Sequence, residues 1–125
     1  MLLDTHALLW FLNKDSRLPE TTKIQIEEAE SVFVSMASLW EISIKVNIGK
    51  LALMAPFETI RLNMINLGIE ELPISFEDAI TYLSIPLHHR DPFDRILVAQ
   101  AMNHSLILIS RDVAFDSYAI QRVWS

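Results

Sequence analysis

Apolar positions along this chain fall into short continuous runs, and after most of them apolar residues recur at helical spacing. Met1-Leu2-Leu3 is the first run, and helical spacing resumes over 7–12, which predicts a buried strand and then a helix. Arg17-Leu18-Pro19 breaks the chain before a charged amphipathic helix over 20–30, with Ile24 and Ile26 among its inward positions. Residues 31–35 have strand character, and a helix follows over 36–48. In that helix Trp40, Ile44 and Ile48 fall at i, i+4 and i+8, an inward stripe with Glu41 beside it, and Gly49 suits the C-cap. A helix over 56–67 closed by Gly68, a strand over 69–74 and a Ser75-capped helix over 76–85 come next. Asp91 is then the N-cap of a helix running to His104, with Pro92 at its first position and Asp94 at its third. From Ile96 onward this helix is apolar nearly all round, so it is expected to be buried. Leu106-Ile107-Leu108-Ile109 predicts a strand buried on both faces, and 119–124 a last, edge strand.

Strands alternating with helices indicate an α/β fold: a three-layer α/β/α sandwich around a mostly parallel sheet of four to five short strands. A length of 125 residues suits one domain, 1–125, and no linker, repeat or low-complexity tract divides it. At 51% hydrophobic the chain buries a large share of itself, in a core or at a subunit interface. No apolar run reaches the length of a membrane span. The apolar opening, 2–12, is interrupted by Asp4 and His6 and lacks a preceding basic region, so it reads as folded chain and not as a signal peptide. Without cysteine there is no disulfide framework and no thiolate chemistry, and a reducing cytoplasm is the simplest location. The net charge of -6 excludes a protein that holds nucleic acid by bulk positive charge. It leaves room for a nuclease, because divalent cations can offset an acidic cleft locally.

In an open parallel sheet the working crevice lies outside the carboxyl ends of the strands. Asp4 follows the first strand and Asp112 the fourth. Glu41 lies in the helix after the second, and Asp94 in the first turn of the helix that feeds the fourth. Four acids at one sheet edge repel one another unless something neutralises them. A hard divalent cation such as Mg²⁺ meets that need, being an ion that takes oxygen ligands, can activate water and can stabilise phosphoryl charge. No Ser-His-Asp or Cys-His arrangement and no glycine-rich phosphate loop competes.

With these residues in place, the chain resembles the PIN-domain ribonucleases, and among them the VapC-like toxins of type II toxin–antitoxin systems. Leu3-Asp4-Thr5-His6 is similar to the first acidic motif of that family. Ser38-Leu39-Trp40-Glu41-Ile42, with Lys45 and Gly49-Lys50-Leu51, is similar to the second. Arg90-Asp91-Pro92-Phe93-Asp94-Arg95 resembles the third and Ser110-Arg111-Asp112 the fourth, in order and from end to end. The resemblance implies an endoribonuclease dependent on Mg²⁺ or Mn²⁺, leaving 5′-phosphate and 3′-hydroxyl ends. It implies a homodimer with a cognate antitoxin that blocks the site, RNA as substrate and no membrane. Asp4, Glu41, Asp94 and Asp112 carry over as the metal-binding, catalytic acids. The first strand is unusually short before Asp4, and of the two acids in the third motif Asp94 fits the pattern better than Asp91.

Each residue also has a plainer role. Asp91 serves as an N-cap, with a supporting place near the metal as its second role. Glu41 can pair with Lys45 at i, i+4, but an acid next to an inward Trp40 calls for a further reason. Thr5, Ser38 and Ser110 offer hydroxyls beside three of the acids, as orienting donors or as caps. Arg90, Arg95 and Arg111 can hold phosphates, while Arg95 can equally partner a neighbouring carboxylate. His88-His89 reads as solvent-facing or as touching RNA phosphate, since a hard oxygen site does not want imidazole. Trp10 and Phe11 read as core, with a dimer or antitoxin surface as the alternative. Two other functions fit less of the pattern. An aspartate-nucleophile phosphatase usually has a second acid two residues after the first, where His6 stands. A catalytically inactive PIN-like interaction module has no need of all four acids.

Overall fold

Leu2 and Leu3, both without solvent exposure, form the strand on which the sheet is built. The structure, a computed structural model, describes residues 1–125. This first strand, β1 (Leu2–Leu3), pairs in parallel on one side with β2 (Val32–Ser35) and on the other with β4 (Leu108–Ile109). β3 (Ile69–Leu72) adds outside β2 and β5 (Arg122–Val123) outside β4, so the order is β3-β2-β1-β4-β5 and every pairing is parallel.

Successive side chains of a strand point to opposite faces, and β1 divides the interior accordingly. Leu3 and Ile109 face one core with Val34, Leu8 and Trp10 of α1 (Thr5–Leu12), Ile26 of α2 (Glu20–Glu28), Leu39 and Ile42 of α3 (Met36–Asn47), and Ile60 and Met64 of α4 (Thr59–Asn66). Leu2 and Leu108 face the other, with Leu97, Val98 and Ala101 of α6 (Pro92–His104), and Ile85 just beyond α5 (Phe76–Ser84). This is the three-layer α/β/α arrangement expected, with five parallel strands. No helix is long and apolar enough to cross a membrane.

Local chemistry sets the element ends. The Asp4 carboxylate accepts from the Ala7 amide at 2.8 Å, so α1 begins at Thr5, directly after β1, and not at the expected Ala7. Pro73, without an N–H, follows the end of β3 at Leu72, short of the expected Ile74. α6 is capped by Asp91, which accepts from Phe93 N at 2.8 Å, and ends at Ser105 in a left-handed conformation (φ 53°). α5 opens with a capping box: Asp78 N donates to Ser75 Oγ at 3.2 Å and Ser75 N to Asp78 Oδ2 at 2.9 Å. Asp78 has no exposure at all and also accepts from Asn103 Nδ2 at 2.8 Å, which clasps α5 to α6.

Two expected inward faces are corrected. In α3 the buried side is Ala37, Ser38, Leu39, Glu41 and Ile42, whereas Trp40 and Ile48 are 62% and 56% exposed. The helix has apolar residues on two sides, and the Ser35 cap at the end of β2 turns Leu39 and Ile42 toward the core. Trp40 lies outside, edge-on to Phe93 with centroids 5.5 Å apart. In α2, Ile26 is buried but Ile24 is exposed.

Candidate metal centre

Because every strand is parallel, the segments that leave their carboxyl ends emerge on one edge. Asp4 follows β1 there and Asp112 lies just past β4. Ser35 ends β2 and caps α3, whose second turn carries Glu41, and α6 presents Asp94 in its first turn. All four acids, with Asp91, line one cleft of about 370 Å³.

Their surroundings differ. Glu41 is buried, and both of its oxygens are engaged: Thr5 Oγ1 donates to Oε1 at 2.5 Å and Lys45 Nζ lies 3.0 Å from Oε2. The Lys45 pairing is therefore present, but its half-exposed ammonium contributes only tenths of a kcal/mol, while the Thr5 bond is buried. Burial raises the Asp4 carboxyl above its ordinary value, against the Ser110 hydroxyl and the Ala7 amide, which favour its charge. Asp94 is pushed up to about 6, first by burial and then by the charge of Asp91, with Glu41 and Asp112 adding to it and His89 opposing. Asp112 moves the other way. Burial raises it, but His89, the Ala114 amide and Arg122 together bring it below its ordinary value. Asp112 Oδ1 accepts from Ala114 N at 3.0 Å and Oδ2 lies 2.8 Å from His89 Nε2.

The supporting residues separate. Thr5 reaches Glu41 as described, and Asp91 lines the cleft while capping α6. Ser110, fully buried, accepts from Asp112 N at 3.1 Å and supports Asp4. Ser38 is buried on α3 with its Oγ unpartnered, and it does not line the cleft. Arg95 does not reach the cleft either: it is buried, donates to Pro86 O at 3.1 Å and Tyr82 O at 3.4 Å, and stacks on the Tyr82 ring. It braces the α5–α6 connection and pairs with no carboxylate. Arg111 lines the cleft over Trp10, whose ring is core as expected but also walls the cleft.

His89 overturns the solvent-facing reading. His88 is exposed, but the His89 side chain is only 8% exposed and turns inward, where a ring nitrogen and oxygens of Asp94 and Asp112 lie within 4.8 Å of one another. Its partners are 23 and 29 positions away, so no local spacing signals it.

A parallel sheet with four acids gathered at the carboxyl edge defines the class. The chain belongs to the PIN domain family, whose profile, described as PIN domain, matches residues 1–121. Among solved structures it is similar to VapBC2 from Rickettsia felis bound to a promoter DNA fragment, with a TM-score of 0.73 and 13% identity over 99% of this chain and 98% of that one. It is also similar to DNA-bound VapBC from Salmonella typhimurium (TM-score 0.71, 16% identity, covering 98% and 95%). A toxin–antitoxin complex from Klebsiella pneumoniae is similar as well (TM-score 0.67, 18% identity, covering 98% and 94%). No curated protein sequence matches the chain.

Proposed function

We propose that this protein is a divalent-metal-dependent endoribonuclease that hydrolyses RNA phosphodiester bonds, acting in the cytoplasm as the toxin of a type II toxin–antitoxin pair. The observation that carries this reading is the meeting of Asp4, Glu41, Asp94 and Asp112, from four separate elements, in one cleft. A set of carboxylate oxygens fits Mg²⁺ or Mn²⁺, and Asp4 and Asp94, whose charge their surroundings disfavour, each gain from a cation beside them. These four acids would hold the ion. When bound, such an ion lowers the pKa of water and stabilises charge on phosphoryl oxygens.

The chain's own residues prepare the site. Thr5 and Lys45 fix the two oxygens of Glu41, the Ala7 amide and Ser110 orient Asp4, and Asp91 holds the start of α6 in place. Arg111 at the cleft wall offers a guanidinium to a backbone phosphate. With a net charge of -6, such local cations and not bulk attraction would bind the RNA. The solved relatives are toxin–antitoxin complexes, which supports an antitoxin as partner. The outer face of α5, with Phe76 and Leu83 at 78% and 86% exposure, supports a homodimer or an antitoxin contact.

The test is cleavage of total cellular RNA by purified protein with Mg²⁺, Mn²⁺ or EDTA, beside Asp94→Asn. Discrete 5′-phosphorylated products that vanish with EDTA and with the variant are expected. Cleavage that persists in both overturns the four-acid site.

A further inference from the structure

The connection between α5 and α6 carries His89 beside Asp94 and Asp112, and its ring is held on three sides. It stacks on Phe115 with centroids 4.4 Å apart and planes 26° from parallel, and on Tyr118 at 5.5 Å and 20°. Its Nδ1 lies 3.0 Å from the Tyr118 hydroxyl and its Nε2 2.8 Å from Asp112 Oδ2. An ionised carboxylate can only accept, so the hydrogen of this second bond sits on Nε2. In a neutral imidazole Nδ1 is then an acceptor, and the Tyr118 hydroxyl donates to it. In either protonation state of the ring, Nε2 donates to Asp112, and the Tyr118 hydroxyl holds Nδ1.

A ring nitrogen of His89 is near enough to oxygens of Asp94 and Asp112 to share an ion with them, and the one facing Asp112 is Nε2. Two features weigh against that role. The nitrogen that faces the acids is the one that carries the hydrogen, and ligation through it would remove the donor from Asp112 Oδ2. Asp112 Oδ1 is already tied to the Ala114 amide, so His89 completes a clamp on both oxygens. We infer that His89 is a positioning residue, which, held by Tyr118, fixes the orientation of the Asp112 carboxylate in the metal centre without itself ligating the ion. This assignment rests on reading the cleft as a metal site, and it adds Tyr118 and His89 to the residues on which that site depends.

Two measurements test it. The first is the ¹⁵N spectrum of the His89 ring in metal-free protein at neutral pH, and again after Mg²⁺ is added. A hydrogen on Nε2 in both states is expected. A bare Nε2, or an Nε2 resonance that moves on ligation of Mg²⁺, overturns the assignment. The second is Mn²⁺ affinity by calorimetry for His89→Ala, His89→Gln, Tyr118→Phe, Asp112→Asn and the double variant His89→Ala with Asp112→Asn. The alanine variant should bind about 10- to 100-fold more weakly. Glutamine, which keeps an N–H donor, should recover most of the loss, and Tyr118→Phe, which keeps the ring packing, should show a smaller loss. The double variant should bind no more weakly than Asp112→Asn alone, because His89 acts through Asp112. Additive losses, or a glutamine variant as weak as alanine, overturn the positioning role while wild-type binding stands. Absence of Mn²⁺ binding by the wild type overturns the metal reading itself, and the metal-free spectrum still reports whether the Tyr118–His89–Asp112 chain exists.

Discussion

Asp94→Asn should make the metal-free protein more stable at neutral pH, although it removes a proposed ligand. The carboxyl is pushed up to about 6 from an ordinary 3.8, so the folded chain holds this proton more tightly than the unfolded chain does. The sign follows from that difference. Asp94 costs nothing below the unfolded value, its penalty grows as pH rises from 3.8 to about 6, and it is complete above that range. A gap of that size corresponds to about 3 kcal/mol, and because the carboxyl is only partly covered, solvent screening reduces it to about 1–2 kcal/mol. For a chain of this length that is about 4–8 °C in Tm. Asparagine has nearly the same shape and no charge, so thermal unfolding in EDTA at about pH 7.5 should show the variant melting higher by that amount, with the gap closing towards about pH 4. Saturating Mg²⁺ should raise the wild type and leave the variant where it was. A variant that melts at or below the wild type at neutral pH, or a gap that does not change with pH, would refute the account of a strained, metal-requiring carboxylate.

Two further outcomes follow from single contacts. Thr5→Val deletes the buried donor to Glu41 at nearly constant volume; Mn²⁺ affinity by calorimetry should fall about 10- to 100-fold, and Thr5→Ser should restore it. Asp78→Ala removes the reciprocal cap of α5, a buried acceptor of the Gln100 amide and the Asn103 bond that ties α5 to α6, so urea unfolding should show a loss of about 2–3 kcal/mol. Burial raises the Asp78 carboxyl, but the Ser75 amide, Asn103, the Ser75 hydroxyl and Gln100 bring it below 3.8 overall, so this contribution is full above that value and fades as pH falls below it.

The sheet and its working edge were legible because continuous apolar runs such as Leu106-Ile107-Leu108-Ile109 have few other uses, and because a parallel sheet sends Asp4 and Asp112 to one side. Trp40 was misread because α3 is apolar on two sides, and periodicity alone does not say which side faces inward. Glu41 is buried, but the reason is its bond from Thr5 and not a buried Trp40 beside it. Arg95 and His89 were misplaced for a different reason. Arg95 is occupied by backbone carbonyls at positions 82 and 86, and His89 by Tyr118 and Asp112. Contacts of this kind depend on how a connection folds back, and a linear pattern of polar and apolar residues does not encode them.

The pairing of β1 with β4 also ties the site to a contact between distant parts of the chain. Leu2 and Leu3 lie in the middle of the sheet, and their second neighbours are Leu108 and Ile109, far along the chain. Closing a loop of that length costs more entropy than pairing β1 with β2. Until it closes, Asp4 has an acid from α3 within reach but no Asp112. During synthesis, a chain that has not reached β4 lacks Asp112 altogether. Completing the cleft therefore depends on the pairing that spans the most chain of any in the sheet, and a partly made molecule carries most of the acids without the site.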